Sequence, residues 1–204
     1  MKKLLVLKSS INGDQSHSSR VADVIKDVWA KKFRLDTIKE RNLAQDALPL
    51  MDQDIFAAYY TVPAHEMTGK QIEAIAVSDT LIDEIKSSDI IVIAAPMYNF
   101  SLPNQLKNYF DLIIRAGLTF SYTETGRVGA IQGKKAIIIN TSGGVYRSGE
   151  NDFALPYLIT LLDFIGITDT TTITIDGVAT QPELIDEKHK AAVVQMDHFI
   201  NSLS

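Results

Sequence analysis

Cysteine is absent from all 204 residues. Disulfides, thiolate nucleophiles and cysteine metal ligands are excluded together, and the composition suits a reducing cytoplasm. No stretch approaches the roughly 20 apolar residues that a membrane-spanning helix needs, so no membrane partner is expected. The apolar run that follows Lys2 and Lys3 is too short for a secretory signal core, and no small-residue cleavage site comes after it. Positive charge is not in excess. Lys and Arg number 20 against 25 Asp and Glu, a net charge of -5. That balance is not built to hold the phosphate backbone of nucleic acid. There is no Gly-x-Gly-x-x-Gly, no Gly-Lys-Ser/Thr and no Gly-x-Ser-x-Gly, which removes the fingerprints of dinucleotide binding, of P-loop NTPases and of the serine-hydrolase elbow. The four histidines, His17, His65, His189 and His198, have no metal-ligand spacing, and no metal is expected.

What is present is an alternation of short apolar runs and amphipathic stretches. Lys3 to Lys8 reads as a buried strand, and Ser9 to Ser18 as a polar turn. Val21, Val24, Ile25, Val28 and Trp29 then recur at three- and four-residue spacing, which predicts a helix from Ser18 to about Phe33. Leu35 to Arg41 alternates like a more exposed strand. Asn42 to about His65 is an excursion with one short helix, and Thr68 to Ser87 is a long helix. Asp89 to Ala95 is almost continuously apolar, as in the centre of a parallel sheet. A helix follows from about Pro103 to Ala116, then a strand from Lys134 to Thr141. Asp152 to Ile165 reads as helix, Thr170 to Asp176 as strand and Pro182 to about Ser202 as a closing helix. Five such alternations in one stretch of 1–204 imply a single α/β domain. The expected architecture is a three-layer sandwich around a five-stranded parallel sheet in the flavodoxin-like order 2-1-3-4-5.

In open parallel sheets ligands bind beyond the carboxyl ends of the strands. Three loops belong there. The first, Ser9 to Ser18, leads into a helix start, whose free N–H groups and partial positive charge suit a phosphate. Ser10, Ser16 and Ser18 add hydroxyls, and His17 a backbone N–H. The competing reading is that Ser16 or Ser18 simply caps the helix. The second loop is Pro96 to Phe100. Met97, Tyr98 and Phe100 can form a flat apolar wall and Asn99 can hydrogen-bond, although a plain turn over packed aromatics would look the same. The third is Thr141, Ser142, Gly143, Gly144 and Val145, where paired glycines either admit a ligand to the backbone or make an ordinary tight turn. Converging on one edge, the three loops suit FMN, a phosphate monoester with an aromatic ring. Phe100, Tyr122 and Phe164 are candidate walls of a substrate slot, with Tyr59 and Tyr60 joining from the excursion. Each also reads as a core aromatic. His65 reads as a surface loop histidine, and Lys188, His189 and Lys190 as a solvated helix face.

At these residues the chain resembles the bacterial FMN-dependent NADH:quinone oxidoreductase and azoreductase family over almost its whole length. The most specific stretch is Asp89 to Gly117, with Pro-Met-Tyr-Asn-Phe followed by Gln-Leu-Lys-Asn-Tyr-Phe-Asp; Phe164-Ile165-Gly166-Ile167 also matches. The resemblance implies phosphate contacts from Ser10, Ser16, His17 and Ser18. It places Met97, Tyr98, Asn99 and Phe100 along the isoalloxazine ring, and Thr141, Ser142, Gly143 and Gly144 at its polar edge. It further implies a homodimer with the flavin near the subunit interface, and a ping-pong cycle from NADH to a quinone or azo compound. Ser142 departs from the family, which often has a larger basic residue there, and residues 42–68 match poorly. No motif selects NADH over NADPH; Arg127 and Arg147 are the basic residues considered for a 2'-phosphate. The alternative is a flavodoxin-type electron-transfer protein without direct NADH turnover.

Overall fold

The computed structural model describes residues 2–146 and 150–203. Arg147 lies outside them. Strands β1 (Leu4–Lys8), β2 (Ile38–Asn42), β3 (Ile90–Pro96), β6 (Lys135–Thr141) and β7 (Asp169–Ile175) form one parallel sheet in the order β2-β1-β3-β6-β7. Counted within the sheet, this is the expected 2-1-3-4-5. The most apolar strands occupy the middle, and every residue of β1 and β3 is buried.

Side chains alternate across the sheet. Leu4, Val6, Ile90 and Val92 pack with Val21, Ile25 and Trp29 of α1 (His17–Lys32) and with Met196 and Ile200 of α6 (Ile185–Ser202). Leu5, Leu7, Ile91 and Ile93 meet the other layer, made by α3 (Gly69–Ser87), α4 (Asn104–Ile113) and α5 (Ala154–Ile165). Each fully buried Leu or Ile stabilises the sandwich by roughly 1.5–3 kcal/mol relative to exposure. The long helix α3 starts in a capping box between Thr68 and Gln71. The short helix of the excursion is α2 (Gln53–Tyr60), capped by Asp52.

Three differences from the sequence reading have a visible physical cause or add an element. Leu35–Thr37 is one turn of 3-10 helix, and the strand begins only at Ile38. The turn wins because the Thr37 hydroxyl donates to Arg34 O at 2.6 Å and accepts the Trp29 indole N–H at 2.9 Å. Helix α4 ends at Ile113 rather than near Ala116, where Thr119 Oγ1 takes up the Arg115 amide at 2.9 Å. Between α4 and β6 lies a hairpin outside the expected scheme, with β4 (Phe120–Thr123) antiparallel to β5 (Gly126–Gly129).

Candidate functional site

The carboxyl ends of β1, β3 and β6 release three loops side by side. Ser9 Oγ donates to Ala94 O at 2.8 Å and stitches the end of β1 to β3. Ser10 Oγ and Tyr98 Oη lie 3.0 Å apart, and the Ile11 amide donates to the same Tyr98 oxygen at 3.2 Å. One phenol therefore ties the first loop to the second. A 3-10 turn over Gly13–Gln15, with Gly13 at φ 51, carries the chain into α1. Ser16 caps that helix, its Oγ accepting from the Ser19 amide at 3.2 Å, and it lies 3.2 Å from Ser18 Oγ. Capping and ligand binding are compatible here, because a hydroxyl that accepts retains its own proton to donate. The amides of His17 and Ser18 have no acceptor among the described residues, as the first turn of a helix dictates.

The second loop is strained. The Tyr98 amide donates to Ser101 O at 2.9 Å and the Ser101 amide returns to Tyr98 O at 3.1 Å. Between them Asn99 has φ 48 and Phe100 φ 68, the paired positive φ of a type I′ turn. Asn tolerates that region. Phe does not, at a cost of about 1–2 kcal/mol. The turn is held from outside. The Met97 amide donates to Thr141 O at 2.7 Å and the Phe153 amide to Phe100 O at 3.3 Å. Phe153 precedes α5, where Asp152 accepts from the Leu155 amide at 3.0 Å and from Asn140 Nδ2 at 3.2 Å. The Phe100 ring is half-exposed and meets Tyr146 edge-on at 5.7 Å.

In the third loop the Ser142 amide donates to Ile175 O at 3.2 Å, and the two glycines that follow use their carbonyls. Gly143 O accepts from Ala179 at 2.9 Å and from Thr180 at 3.2 Å, and Gly144 O accepts from Gly177 at 3.0 Å. The Gly143 and Gly144 amides have no acceptor among the described residues. A Cβ at Gly143 would touch only Ala179, at an ordinary 3.7 Å. The chain's own packing therefore does not demand glycine at that position.

The three loops share a cleft of about 120 Å³ lined by Ser10, Ser16, His17, Met97, Tyr98, Thr141, Ser142 and Gly143. Asn12 and Val178 also line it. Neither was singled out from sequence; Asn12 was legible in hindsight as a polar residue of the first loop, whereas Val178 comes from a loop after β7 that has no motif. Ser142 turns its hydroxyl onto Gly144 O at 2.8 Å. His17 Nδ1 lies 2.9 Å from His189 Nε2 of α6 and 3.0 Å from Arg20 Nη2. Burial, and then the Arg20 charge, hold the His17 imidazole below its ordinary pKa; His189 is lowered by burial, then by His17 and Arg20. Lys188 Nζ bonds Asp176 Oδ1 at 2.6 Å. The Lys188-His189 run is therefore engaged with the site's surroundings and is not a purely solvated face. His65 is exposed beside Glu66.

A single chain does not gather the candidate substrate aromatics. Phe100 follows the cleft-lining Met97 and Tyr98 in the chain but does not itself line the cleft, and neither do Ser18, Asn99 and Gly144. Tyr122, 74% exposed, sits on the hairpin between α4 and β6, and Phe164 sits at the end of α5; both connections lie at the opposite edge of the sheet. Phe120 joins the pair, with ring centroids 4.7 Å from Phe164 and 5.6 Å from Tyr122. Arg127 lies 4.7 Å over Phe164 and bonds Asp163 Oδ2 at 2.9 Å, so it too is far from the three loops. Tyr59 donates to Leu112 O at 3.1 Å under Arg115, and Tyr60 packs on Phe56 at 4.8 Å.

Residues 2–200 match the family model described as flavodoxin-like fold. The FMN-dependent NADH:quinone oxidoreductase of Escherichia coli strain K12 is 45% identical over 202 residues, which cover 99% of this chain and 100% of that one. A crystal structure of azoreductase from Bacillus anthracis str. Sterne superposes with a TM-score of 0.89 at 28% identity, covering 100% of both chains. An FMN-dependent NADH-azoreductase from Bacillus anthracis str. Ames Ancestor, in complex with FMN, superposes with a TM-score of 0.86 at 26% identity, covering 98% of this chain and 100% of that one. With its matched length, its sheet order and its three loops, the chain belongs to the FMN-dependent NADH:quinone oxidoreductase family of the flavodoxin-like fold.

Proposed function

We propose that this chain is an FMN-dependent oxidoreductase that takes hydride from NADH, reduces quinones by two electrons and cleaves aromatic azo compounds reductively. The observation that carries the reading is that two loops whose amides lack acceptors among the described residues, at His17 and Ser18 and at Gly143 and Gly144, meet at one cleft that His17 and Gly143 line, beside the Tyr98 that ties the first loop to the second. Such a donor set fits a ligand with a phosphate at one end and a polar ring edge at the other.

The residues divide the work. The amides of His17 and Ser18, with the hydroxyls of Ser10, Ser16 and Ser18, hold the phosphate at the start of α1. Met97, Tyr98 and Phe100 give the ring its wall, and Asn99 and Thr141 border it. Gly143 and Gly144 donate to the polar edge, where negative charge develops on reduction; a well-placed donor in a dry site is worth about 3–4 kcal/mol. Ser142 brings no positive charge, so in this chain the edge relies on backbone dipoles. FMN, when bound, supplies the two-electron carrier that accepts hydride from the nicotinamide and delivers it to the acceptor. No side-chain nucleophile is required, and the aromatic slot needs only to admit donor and acceptor in turn.

The working unit is a homodimer with the flavin near the interface. Two observations support this. The cleft of one chain, about 120 Å³, is well below the roughly 300–1,000 Å³ of a complete small-molecule pocket. The exposed Tyr122 and the Phe164 beside its hairpin lie at the far end of their own sheet, away from their own chain's cleft, where a second chain could use them. The cytoplasm, which supplies reduced nicotinamide, is the compartment that suits this chemistry.

The test is a visible spectrum. The purified protein with added FMN should show bound flavin, NADH should bleach it anaerobically, and benzoquinone should restore the colour. Flavin that binds but stays oxidised with NADH would favour the electron carrier. No flavin binding would overturn the three-loop reading. Sedimentation alongside turnover tests the dimer, and a fully active monomer would sink that part alone.

A further inference from the structure

Besides their apolar packing, α1 and α6 meet at the cleft through one polar contact. His17 Nδ1 faces two nitrogen atoms, Arg20 Nη2 at 3.0 Å and His189 Nε2 at 2.9 Å. A guanidinium has only donors and keeps its protons at any working pH. His17 Nδ1 must therefore accept, which leaves it unprotonated and puts the ring's proton on Nε2. The same logic fixes the partner, since His189 can bond that lone pair only by donating its own Nε2–H. Both tautomers follow from geometry and donor chemistry. The imidazole planes cross at 63° with centroids 5.1 Å apart, an edge approach that suits an N–H aimed at an in-plane lone pair.

We infer that His189 is a positioning residue of the cofactor cleft: it locks His17 as the neutral Nε2–H tautomer, so that the one ring nitrogen left for a ligand is a hydrogen-bond donor at the phosphate end. The inference rests on the phosphate assignment proposed above and extends it from the His17 amide to the His17 ring. It also gives α6, which contributes none of the three loops, a part in cofactor binding. The charged groups facing the pair are Arg20 from α1 and Asp186 from α6. With Nδ1 of His17 held by two donors, an added proton goes to the His189 ring, whose charged form Asp186 favours, and leaves the His17 tautomer unchanged.

Binding of FMN and of riboflavin, which has the same ring without the phosphate, separates this role from packing. Flavin fluorescence quenching would be titrated for the wild type, His189→Leu and His189→Gln. A hydrogen bond to a charged group predicts that His189→Leu weakens FMN binding about tenfold. Riboflavin binding should be unchanged. Glutamine, whose amide N–H replaces the imidazole donor, should return FMN affinity to within about twofold of wild type. Equal losses for FMN and riboflavin, or no loss for either, would overturn the inference while leaving the cleft reading intact. Failure of the wild type to bind FMN would overturn both. Nitrogen-15 imidazole NMR of the wild type at pH 7.5 needs no variant to fold: His17 must show a protonated Nε2, and a protonated Nδ1 sinks the proposal.

Discussion

The two ends of the central sheet are built from the same strands and finished in opposite ways. At the amino ends the connections satisfy themselves. The Asp89 amide donates to Lys3 O at 2.9 Å and its side chain accepts from the Lys3 amide at 2.7 Å. Thr119 accepts the Arg115 amide through its hydroxyl and bonds Ile113 O, while its carbonyl takes the Ala130 amide at 2.8 Å. Gly129 and Gly166 bring two backbones into direct contact. At the carboxyl ends the amides of His17, Ser18, Gly143 and Gly144 have no acceptor among the described residues, and Asn99 and Phe100 stay at positive φ. One end stabilises the sandwich through completed hydrogen bonds and close packing. The other keeps incomplete bonds and strain, which is the condition a ligand can relieve.

A substitution at the closed end should cost stability and little else, and this is the largest effect expected. A Cβ on Gly129 would stand 2.2 Å from Gly166 N, so backbone must move. Gly129→Ala should destabilise the fold by about 3 kcal/mol, the upper part of the usual overpacking range. For a chain of this size the melting temperature should fall by roughly 6–12 °C. FMN affinity of the folded fraction should hold at wild-type level. A normal melting temperature, or flavin loss without destabilisation, would erase the distinction between the two ends.

At the open end the sign should reverse. Phe100→Gly removes a bulky residue from φ 68 and should raise stability by about 1 kcal/mol, read as a higher urea midpoint at unchanged slope. The same change removes a candidate wall of the substrate slot, so the KM for benzoquinone should rise. A variant that is both less stable and equally active would show that the strain is not stored there.

These contrasts were only partly open to sequence reasoning. The buried strands were legible because β3 is apolar throughout and β1 is so apart from Lys8, and no other arrangement covers both of their faces. Loops rich in Ser, Gly and Asn after those strands pointed to the binding edge by the general rule for parallel sheets. The hairpin at Phe120–Gly129 was missed because its residues are mostly exposed and carry no core periodicity. Tyr122 and Phe164 were grouped with Phe100 by chemistry, and only the direction of α4 and α5 across the sheet separates them. His189 lies 172 residues from His17; nothing local in a Lys-His-Lys run marks a partner so far away.

The smallest effect expected is a proton linkage confined to the open end. Burial and neighbouring positive charge lower the pKa of both His17 and His189 in the folded chain, while an unfolded histidine keeps its value near 6.5. Between pH 6.5 and the lowered folded values the unfolded chain binds more protons, so stability must fall as pH falls through that window. Asp23 and Asp52 also have lowered values, from 3.8, and their contribution is lost only in more acidic solution. The urea midpoint of the cofactor-free protein should therefore decline between pH 7.5 and 5.5, by less than either substitution above produces. Replacing both histidines with Gln should flatten the decline, because the pair is the titrating element in that range. Adding FMN should flatten it as well, since a bound phosphate favours the protonated form of a nearby imidazole and offsets the desolvation that lowered it. A slope that survives both changes would place the titrating group elsewhere in the molecule and remove the histidine pair from the account of the open end.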